Sequence, residues 1–350
     1  MDGPPVCWRV STHWYRSRVE VREGLERRER DFLAPHATRS AESKGRDRAE
    51  APDPFRTAFQ VDRDRILGSK AFRRLVGKTQ VFLMPTGDHY RNRLTHTIEV
   101  ARIGRTIARA LALNEDLAEA VCLGHDLGHT PFGHLGETAM SAFCGQPWKH
   151  ADHSLRIVER LEREGAGLNL TWETRDGIVG STWSQPTPAT PEAMCCRFAD
   201  RFAYLAHDVD DAVRAGVIAA DDLPSAARRA FGTEPEAMVD AFVADVVHAS
   251  AGRDTGEVRM SDAGFVALGE LRQFMFARVY EPSVGEPQQA RVVFVLRSLL
   301  DYFASNPAEL PGGEPAPHKV GQCAVDYVAG MTDRYALRRF AELLLPETSV

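Results

Sequence analysis

Apolar residues recur at intervals of three and four along most of this sequence, and that spacing restricts its folds more than any other feature. The pattern is clear in residues 100–111, 198–213 and 292–300. An amphipathic helix buries one face at this period, whereas a half-buried strand alternates at every second residue. Such alternation is scarce, and residues 79–82 are too few to predict a sheet. The sequence therefore predicts an all-α fold.

Glycine and proline divide the helical pattern into segments. Residues 124–133 (GHDLGHTPFG) hold three glycines and one proline, so one helix should end and another begin there. Residues 180–191 and 306–317 are predicted loops. Residues 36–54 are polar and charged, which favours an arm over a core element. The first ten residues are not expected to join the fold.

Composition excludes several classes of protein. With 43% hydrophobic and 26% charged residues, the chain has the balance of a soluble globular protein. No run approaches the roughly 20 apolar residues that span a bilayer, and the first twenty residues lack a secretory pattern. The six cysteines follow no zinc or disulfide spacing. We therefore expect a cytoplasmic protein with reduced thiols and no membrane partner.

Charge is distributed unevenly along the chain. The net charge is −6, but residues 61–110 contain eleven basic and four acidic side chains. A local basic region on an acidic protein suits a small polyanion better than a long nucleic acid. Arginine-rich helix faces in solvent are the alternative explanation for many of these residues.

A histidine and an aspartate, His125 and Asp126, stand together at the end of a predicted helix. His96 lies near the start of an upstream helix, and Asp200 lies on a downstream helix, with Asp208 as an alternative acid. Two imidazoles and two carboxylates form a mixed N/O set that suits Mn, Fe, Ni, Co, Zn or Mg. Ligands on separate helices would place the metal inside a helical bundle. Hydrogen-bonded core histidines explain His96 and His125 about equally well, so the residues alone leave both interpretations open.

Several longer strings surround these residues in one order. They are DRDRILGSKAFRRLVGKTQVF, YRNRLTHTIEVARIGR, GHDLGHTPFGHLGE, SLRIVERLE, FADRFAYLAHDVDDA and DYVAGMTDRYAL. With them the chain resembles the HD superfamily, and within it the deoxynucleoside triphosphate triphosphohydrolases of the deoxyguanosine-triphosphatase type. The resemblance implies an HD-domain helical bundle with additional N- and C-terminal helices. It divides the chain into an N-terminal arm and helix (1–55), an HD-domain catalytic core (56–220) and a C-terminal helical region packed on that core (221–350).

The resemblance also implies roles for individual residues. In its register the fourth metal ligand is Asp200 rather than Asp208. The implied metal ligands are His96, His125, Asp126 and Asp200. The implied catalytic residues are His134, Glu137 and His129, with Glu137 orienting His134 beside the α-phosphate. The implied substrate-binding residues are Arg93 and His150 for the phosphates, Tyr204 and Asp208 for the deoxyribose, and Gln80 near the sugar and base. Looser candidates for the triphosphate or a subunit contact are Arg73, Arg74 and Lys78. His153 stands where many relatives have glutamine.

The implied activity is metal-dependent hydrolysis of a deoxynucleoside triphosphate, such as dGTP, at the α-phosphorus, releasing deoxynucleoside and tripolyphosphate. The implied cofactor is a divalent metal ion, and the implied partners are a nucleotide or single-stranded DNA effector and further copies of the chain in a homo-oligomer. Two alternatives remain. One is a different HD phosphohydrolase, such as a nucleotidase acting on monophosphates. The other is a nucleotide- or single-stranded-DNA-sensing HD protein with little turnover.

Overall fold

Fifteen α-helices make up most of the regular structure in the residues that a computed structural model describes, which are 13–80, 91–252, 255–280 and 285–346. Side chains are described from residue 21 onward. No strand forms within these ranges, so the prediction of an all-α fold is confirmed. The first ten residues, for which no part in the fold was expected, lie outside the described residues. In chain order the helices are α1 (His13–Phe32), α2 (Ala58–Leu67), α3 (Lys70–Arg74), α4 (Arg93–Ala110), α5 (Glu115–Gly124), α6 (His134–Cys144), α7 (His150–Arg156), α8 (Trp172–Gly180), α9 (Pro191–Arg214), α10 (Ser225–Phe231), α11 (Pro235–Ser250), α12 (Asp262–Met275), α13 (Glu286–Ser305), α14 (Val320–Ala329) and α15 (Asp333–Leu344).

Polar capping residues determine where the central helices begin. Asn92 starts α4 with a reciprocal capping box. Its side chain accepts a hydrogen bond from the Thr95 N–H, and the Thr95 hydroxyl oxygen accepts one from the Asn92 N–H. Thr190 caps α9 and precedes Pro191, whose missing N–H has no helical partner to lose at that position. Each such cap contributes about 1 kcal/mol to stability. Because the start of a helix sets which residues share a face, these caps also set the faces that carry the predicted site residues.

Helices α4, α5 and α9 pack against one another at the centre of the main core. Ile107, Leu117 and Phe202 are fully buried there, and each contributes roughly 1.5–3 kcal/mol relative to exposure. Two residues of the predicted apolar stripes are exposed to solvent. Val213 is 38% exposed in the last turn of α9, and Phe294 is 64% exposed on α13.

The polar segment 36–54 lies against the core, which differs from the predicted arm. Arg46 forms an ion pair with the buried carboxylate of Asp62, and the backbone and hydroxyl of Thr38 donate to Glu192 at 2.9 and 2.7 Å. Ser43 donates to the buried Glu173 at 2.7 Å. Buried carboxylates need hydrogen-bond donors, and this polar segment supplies them.

A second core forms where α13 and α14 pack against α6 and α15 packs against α13. Helices α10, α11 and α12 instead join the main core, and a π-helical turn at Phe276–Tyr280 follows α12. The division of the chain at residues 55 and 220 stays a prediction. None of the helices in the described ranges is both long and apolar enough to cross a bilayer.

Candidate metal centre and active-site cavity

A cavity of about 360 Å³ beside α4 and α9 collects most of the residues that the sequence singled out. Its lining includes Gln80, Arg93, His96, Asp126, His129, His134, His150, Asp200, Tyr204 and Asp208. The two remaining predicted residues do not line the cavity but contact residues that do: His125 contacts Asp126, and Glu137 contacts His150. A larger open groove of about 1030 Å³ between α1 and α2 contains none of the predicted site residues.

Four side chains converge at the buried side of this cavity. His96 lies on the first turn of α4, His125 and Asp126 directly follow α5, and Asp200 lies in the middle of α9. His96 Nε2 is 3.1 Å from Asp200 Oδ1, while His125 Nε2 is 3.2 Å from Asp126 Oδ1 and 3.7 Å from Asp200 Oδ1. Ligand atoms of His96, His125 and Asp126 all lie within 4.8 Å of one another. The four predicted metal ligands therefore surround one centre, whereas Asp208 lies two turns further along α9.

The surroundings of His125 suit a metal ligand. Its Nδ1 lies 2.6 Å from the carbonyl oxygen of Cys122, so Nδ1 carries a proton and donates it. Its Nε2 is buried and has no hydrogen-bond partner. Burial lowers the pKa of His125, but the carboxylates of Asp126 and Asp200 outweigh this effect and raise it to about 10. An unpartnered imidazole nitrogen between two carboxylates fits a divalent cation, and the N/O donor set does not select one metal.

Arg93 joins the metal-ligand cluster to the cavity. It is the first residue of α4, is buried, and its Nη1 donates to Asp126 Oδ2 at 2.9 Å. Its Nε has no hydrogen-bond partner. A guanidinium held by one carboxylate still presents paired donors, which suit phosphate oxygens.

Glu137 contacts His150 and His129, not His134, which the sequence analysis paired with it. His150 Nδ1 lies 2.8 Å and His129 Nδ1 lies 3.3 Å from Glu137 Oε1. His134 Nδ1 is 4.0 Å from Glu137 Oε2, which is too long for a hydrogen bond, and its side chain is 80% exposed. The three-residue spacing puts His134 and Glu137 on one face, but the His134 ring points to the cavity mouth. The predicted orientation of His134 by Glu137 is therefore not the contact observed.

The rings of His129 and His150 stack, with centroids 3.9 Å apart. Burial, Arg93 and His150 together lower the pKa of His129 well below its ordinary value. Burial would raise the pKa of Glu137, but the three neighbouring imidazoles, His150 foremost, lower it to about 2. Glu137 is thus a carboxylate at neutral pH, beside a neutral His129. His129 Nε2 also lies 3.1 Å from Asp126 Oδ1, which connects this histidine pair to the predicted metal ligands.

The GHDLGHTPFG segment turns sharply between α5 and α6 because of its glycines. A Cβ on Gly128 would lie 2.3 Å from the His150 carbonyl oxygen, so only glycine lets α7 approach this closely. Phe132 and Gly133 both have positive φ, +60° and +59°. For phenylalanine this backbone conformation is costly. The turn directs His134 toward the mouth of the cavity and Glu137 toward His150.

The opposite side of the cavity is lined by residues of α9 and of the turn after α12. Tyr204 and Asp208 follow Asp200 at four-residue intervals and face the cavity. The Tyr280 hydroxyl donates to Asp208 Oδ2 at 2.7 Å. Burial raises the pKa of Asp208 to about 8, against the opposing hydrogen bond from Tyr280. Gln80 also lines the cavity, and its Oε1 is buried without a hydrogen-bond partner.

Sequence reasoning missed several lining residues. They are Trp183, Arg201, Arg272, Phe276 and Tyr280. The guanidinium of Arg201 lies 4.1 Å from the ring centroid of Trp183, and that of Arg272 lies 4.4 Å from the ring of Phe276. Arg201 was detectable, since it shares a helical stripe with Tyr204 and Asp208 at spacings of three and four. No local pattern indicated Trp183 or the residues after 270, because they come from a loop and a distant helix.

Most of the basic stretch 61–110 does not line the cavity. Arg93 is the only one of its eleven basic residues there. Lys78 is buried and donates to the carbonyl oxygens of His129 and Ala329, so it is not a surface group for a triphosphate or a subunit contact. Arg73 and Arg74 also lie away from the cavity. His153 is buried, with its ring centroid 5.2 Å from that of Trp148, and it does not line the cavity.

Comparisons with known proteins identify two matching families and several similar proteins. Residues 93–205 match the HD domain family, and residues 258–342 match the family described as phosphohydrolase-associated domain. A protein of Desulfatibacillum aliphaticivorans called "deoxyguanosinetriphosphate triphosphohydrolase-like protein" is 48% identical, over 95% of this chain and 100% of its own length. Proteins with the same name are 46% identical in Caldanaerobacter subterraneus, over 94% of this chain and 97% of theirs, and 42% identical in Clostridium perfringens, over 94% and 99%.

Proposed function

This chain belongs to the family of deoxyguanosinetriphosphate triphosphohydrolase-like HD proteins, and we propose that it hydrolyses deoxynucleoside triphosphates, such as dGTP, at the α-phosphorus. Water would attack phosphorus, the bond from phosphorus to the 5'-oxygen would break, and deoxynucleoside and tripolyphosphate would leave. A single observation carries the proposal. One cavity joins a His/Asp cluster suited to a divalent cation with three arginines and with tyrosine and aspartate side chains.

The positively charged side chains of the cavity suit a polyanionic substrate. Arg93 lies beside the metal ligands, and Arg201 and Arg272 reach the cavity from α9 and α12. Guanidinium groups in a partly buried site bind phosphate oxygens and stabilise charge that develops during transfer. The three arginines therefore suit a triphosphate better than a monophosphate.

The sugar would lie against Tyr204 and Asp208. Asp208 and the Tyr280 hydroxyl form a polar pair that can exchange hydrogen bonds with a 3'-hydroxyl. The Tyr204 ring, one turn from Asp200, would leave no room for a 2'-hydroxyl. Gln80, with an unpartnered amide oxygen, is the candidate for contact with the sugar and base.

The proton-transfer residues would be the histidines around Glu137. We assign proton donation to the departing 5'-oxygen to His134, whose exposed ring at the cavity mouth can turn toward a bound substrate. Catalytic contacts of this kind often form only in the substrate complex. Glu137 would keep His150 and His129 in place beside the α-phosphate.

A divalent metal held by His96, His125, Asp126 and Asp200 would supply Lewis-acid activation of the phosphoryl group. The chain's own contribution is to hold these ligands: the Cys122 carbonyl fixes the His125 ring, and Arg93 holds Asp126. Mn, Mg, Fe, Co, Ni and Zn all remain candidates, because the donors are imidazole and carboxylate.

A matrix of metals and substrates tests the proposal. Purified protein is incubated with each of the four deoxynucleoside triphosphates and with monophosphates under each metal, and the products are identified by chromatography. Tripolyphosphate in equal amount to deoxynucleoside supports the proposal. Orthophosphate alone would indicate a nucleotidase. Salt-dependent binding of single-stranded DNA with no hydrolysis under any condition would indicate the sensing protein instead.

The homo-oligomer and the nucleotide or single-stranded DNA effector stay predictions from the family. Light scattering measures the subunit count, and hydrolysis rates with and without a second deoxynucleotide or single-stranded DNA measure the response to an effector. An effector should raise either the mass or the hydrolysis rate.

A further inference from the structure

The carboxylate of Asp333 connects two segments of the active-site cavity that are far apart in the sequence. Asp333 is the first residue of α15, and it is only 5% exposed. Its Oδ2 accepts hydrogen bonds from the backbone N–H and hydroxyl of Thr79 at 2.9 and 2.5 Å. Its Oδ1 accepts from the backbone N–H of Phe132 at 2.9 Å. Asp333 itself does not line the cavity.

Lys78 makes a parallel connection beside Asp333. Its buried ammonium group donates to the carbonyl oxygen of His129, and at 3.1 Å to that of Ala329 at the end of α14. Gly77 lies close to Thr332, since a Cβ on this glycine would be 2.8 Å from Thr332 Cγ2. The segments 77–79, 129–132 and 329–333 therefore meet through charged, buried side chains.

The segments that Asp333 joins carry proposed site residues. Thr79 directly precedes Gln80, and Phe132 lies two residues before His134. Phe132 is a bulky residue at positive φ, a conformation that persists only where surrounding contacts enforce it. The hydrogen bond from its N–H to Asp333 is such a contact. Without it the turn would relax, and His134 and Gln80 would shift relative to Arg93 and the metal ligands.

We infer that Asp333 is a positioning residue for the proposed hydrolysis, acting through Phe132 and Thr79 on His134 and Gln80. The inference rests on the proposed function. It gives the C-terminal helices a role in catalysis besides covering the core. Displacement of a reacting group by about 1 Å can lower a rate on the order of 100-fold, so loss of Asp333 should lower kcat more than it raises KM.

The chain offers a matched control. Glu192 is also a buried carboxylate, and it accepts bonds from the N–H and hydroxyl of Thr38 and from the N–H of Asn114 at 2.9, 2.7 and 3.1 Å. Its set of donors is the same in kind as that of Asp333, but none of them belongs to the cavity. Asp333→Asn and Glu192→Gln therefore remove equivalent charges, one joined to the site and one remote from it.

The test compares the two full-length variants with the parent protein. We expect Asp333→Asn to lower kcat at least tenfold at similar KM, and Glu192→Gln to keep kcat within twofold at a comparable change in melting temperature. Amide hydrogen exchange in residues 129–134 should rise in Asp333→Asn alone. Equal losses of kcat in the two variants, scaling with melting temperature, would overturn the inference.

The exchange measurement also separates this inference from the proposed function. If the parent protein hydrolyses no nucleotide, the proposed function fails. The positioning of the 129–134 turn by Asp333 is then judged by exchange alone. Unchanged exchange in Asp333→Asn would overturn it in that case as well.

Discussion

His150 Nδ1 lies 2.8 Å from Glu137 Oε1, although thirteen residues separate the two in sequence. Glu137 lies on the first turn of α6 and His150 begins α7, so the contact joins two helices. His129 stacks on His150 and reaches the same carboxylate oxygen. A single half-buried carboxylate thus contacts two imidazoles that line the cavity.

Glu137→Gln should lower kcat by about 100-fold, because a neutral amide loses the charge-assisted hydrogen bond with His150 and the electrostatic attraction to His129. Steady-state kinetics with quantified tripolyphosphate release measures the effect. Glu159→Gln is the control, since Glu159 pairs with Arg175 away from the cavity. Equal activity of the two variants would remove Glu137 from the mechanism.

His134→Gln should change the pH dependence of kcat. A general acid must be protonated to act, so kcat of the parent protein falls as pH rises above the pKa of that acid. Without His134 the alkaline fall should disappear and kcat should drop by roughly 100-fold at its optimum. His248→Gln, an exposed histidine on α11, is the control. A variant that keeps the alkaline fall would assign the acid to another group.

His125→Ala should weaken metal binding by at least about 100-fold, because it removes a proposed ligand whose Nε2 has no hydrogen-bond partner. Metal content after dialysis against a buffered Mn²⁺ concentration measures this directly, without reference to activity. His207→Ala is the matched variant, since His207 is also a buried histidine beside a carboxylate, Glu99, but lies outside the cavity. Full metal content in His125→Ala would contradict the ligand assignment.

Tyr204→Ala should weaken discrimination against ribonucleotides on the order of tenfold, because it opens space beside the sugar. The measurement is the ratio of kcat/KM for a ribonucleoside triphosphate to that for the matching deoxynucleotide. Tyr302→Ala, a tyrosine on α13 outside the cavity, controls for general effects. An unchanged ratio in Tyr204→Ala would count against contact with the sugar.

Asp208 should make stability depend on pH. Its pKa is raised from 3.8 to about 8, chiefly by burial. The stability that protonated Asp208 contributes is therefore fully present below its pKa in the unfolded chain, and it is lost as pH rises toward 8. Relative to Asp208→Asn, the parent protein should lose on the order of 5 kcal/mol of unfolding free energy between pH 4 and pH 8. Urea unfolding of both proteins across this range measures the difference. A constant difference would mean that Asp208 ionises normally.

The helical class could be predicted because apolar spacing is local information, whereas the predicted metal ligands rest on the resemblance to the HD superfamily. Apolar spacing of three and four specifies helices wherever it occurs, and the Asp200, Tyr204 and Asp208 spacing places these residues on one face of α9. The glycines of 124–133 likewise indicated the break between α5 and α6: α5 ends at Gly124 and α6 begins at His134.

Other features were decided by the tertiary structure alone. Periodicity predicts which residues lie on one face of a helix, but it does not predict which face of a distant helix packs against them. The sequence paired Glu137 with His134, three residues away, whereas the fold brings His150 closer. Lys78 looked like a surface cation and is buried, because α14 ends against it. Arg272 and Tyr280 reach the cavity through the packing of α12 on α9. Local sequence therefore determined the helices, and long-range packing determined which charged groups share the buried space around the predicted metal ligands.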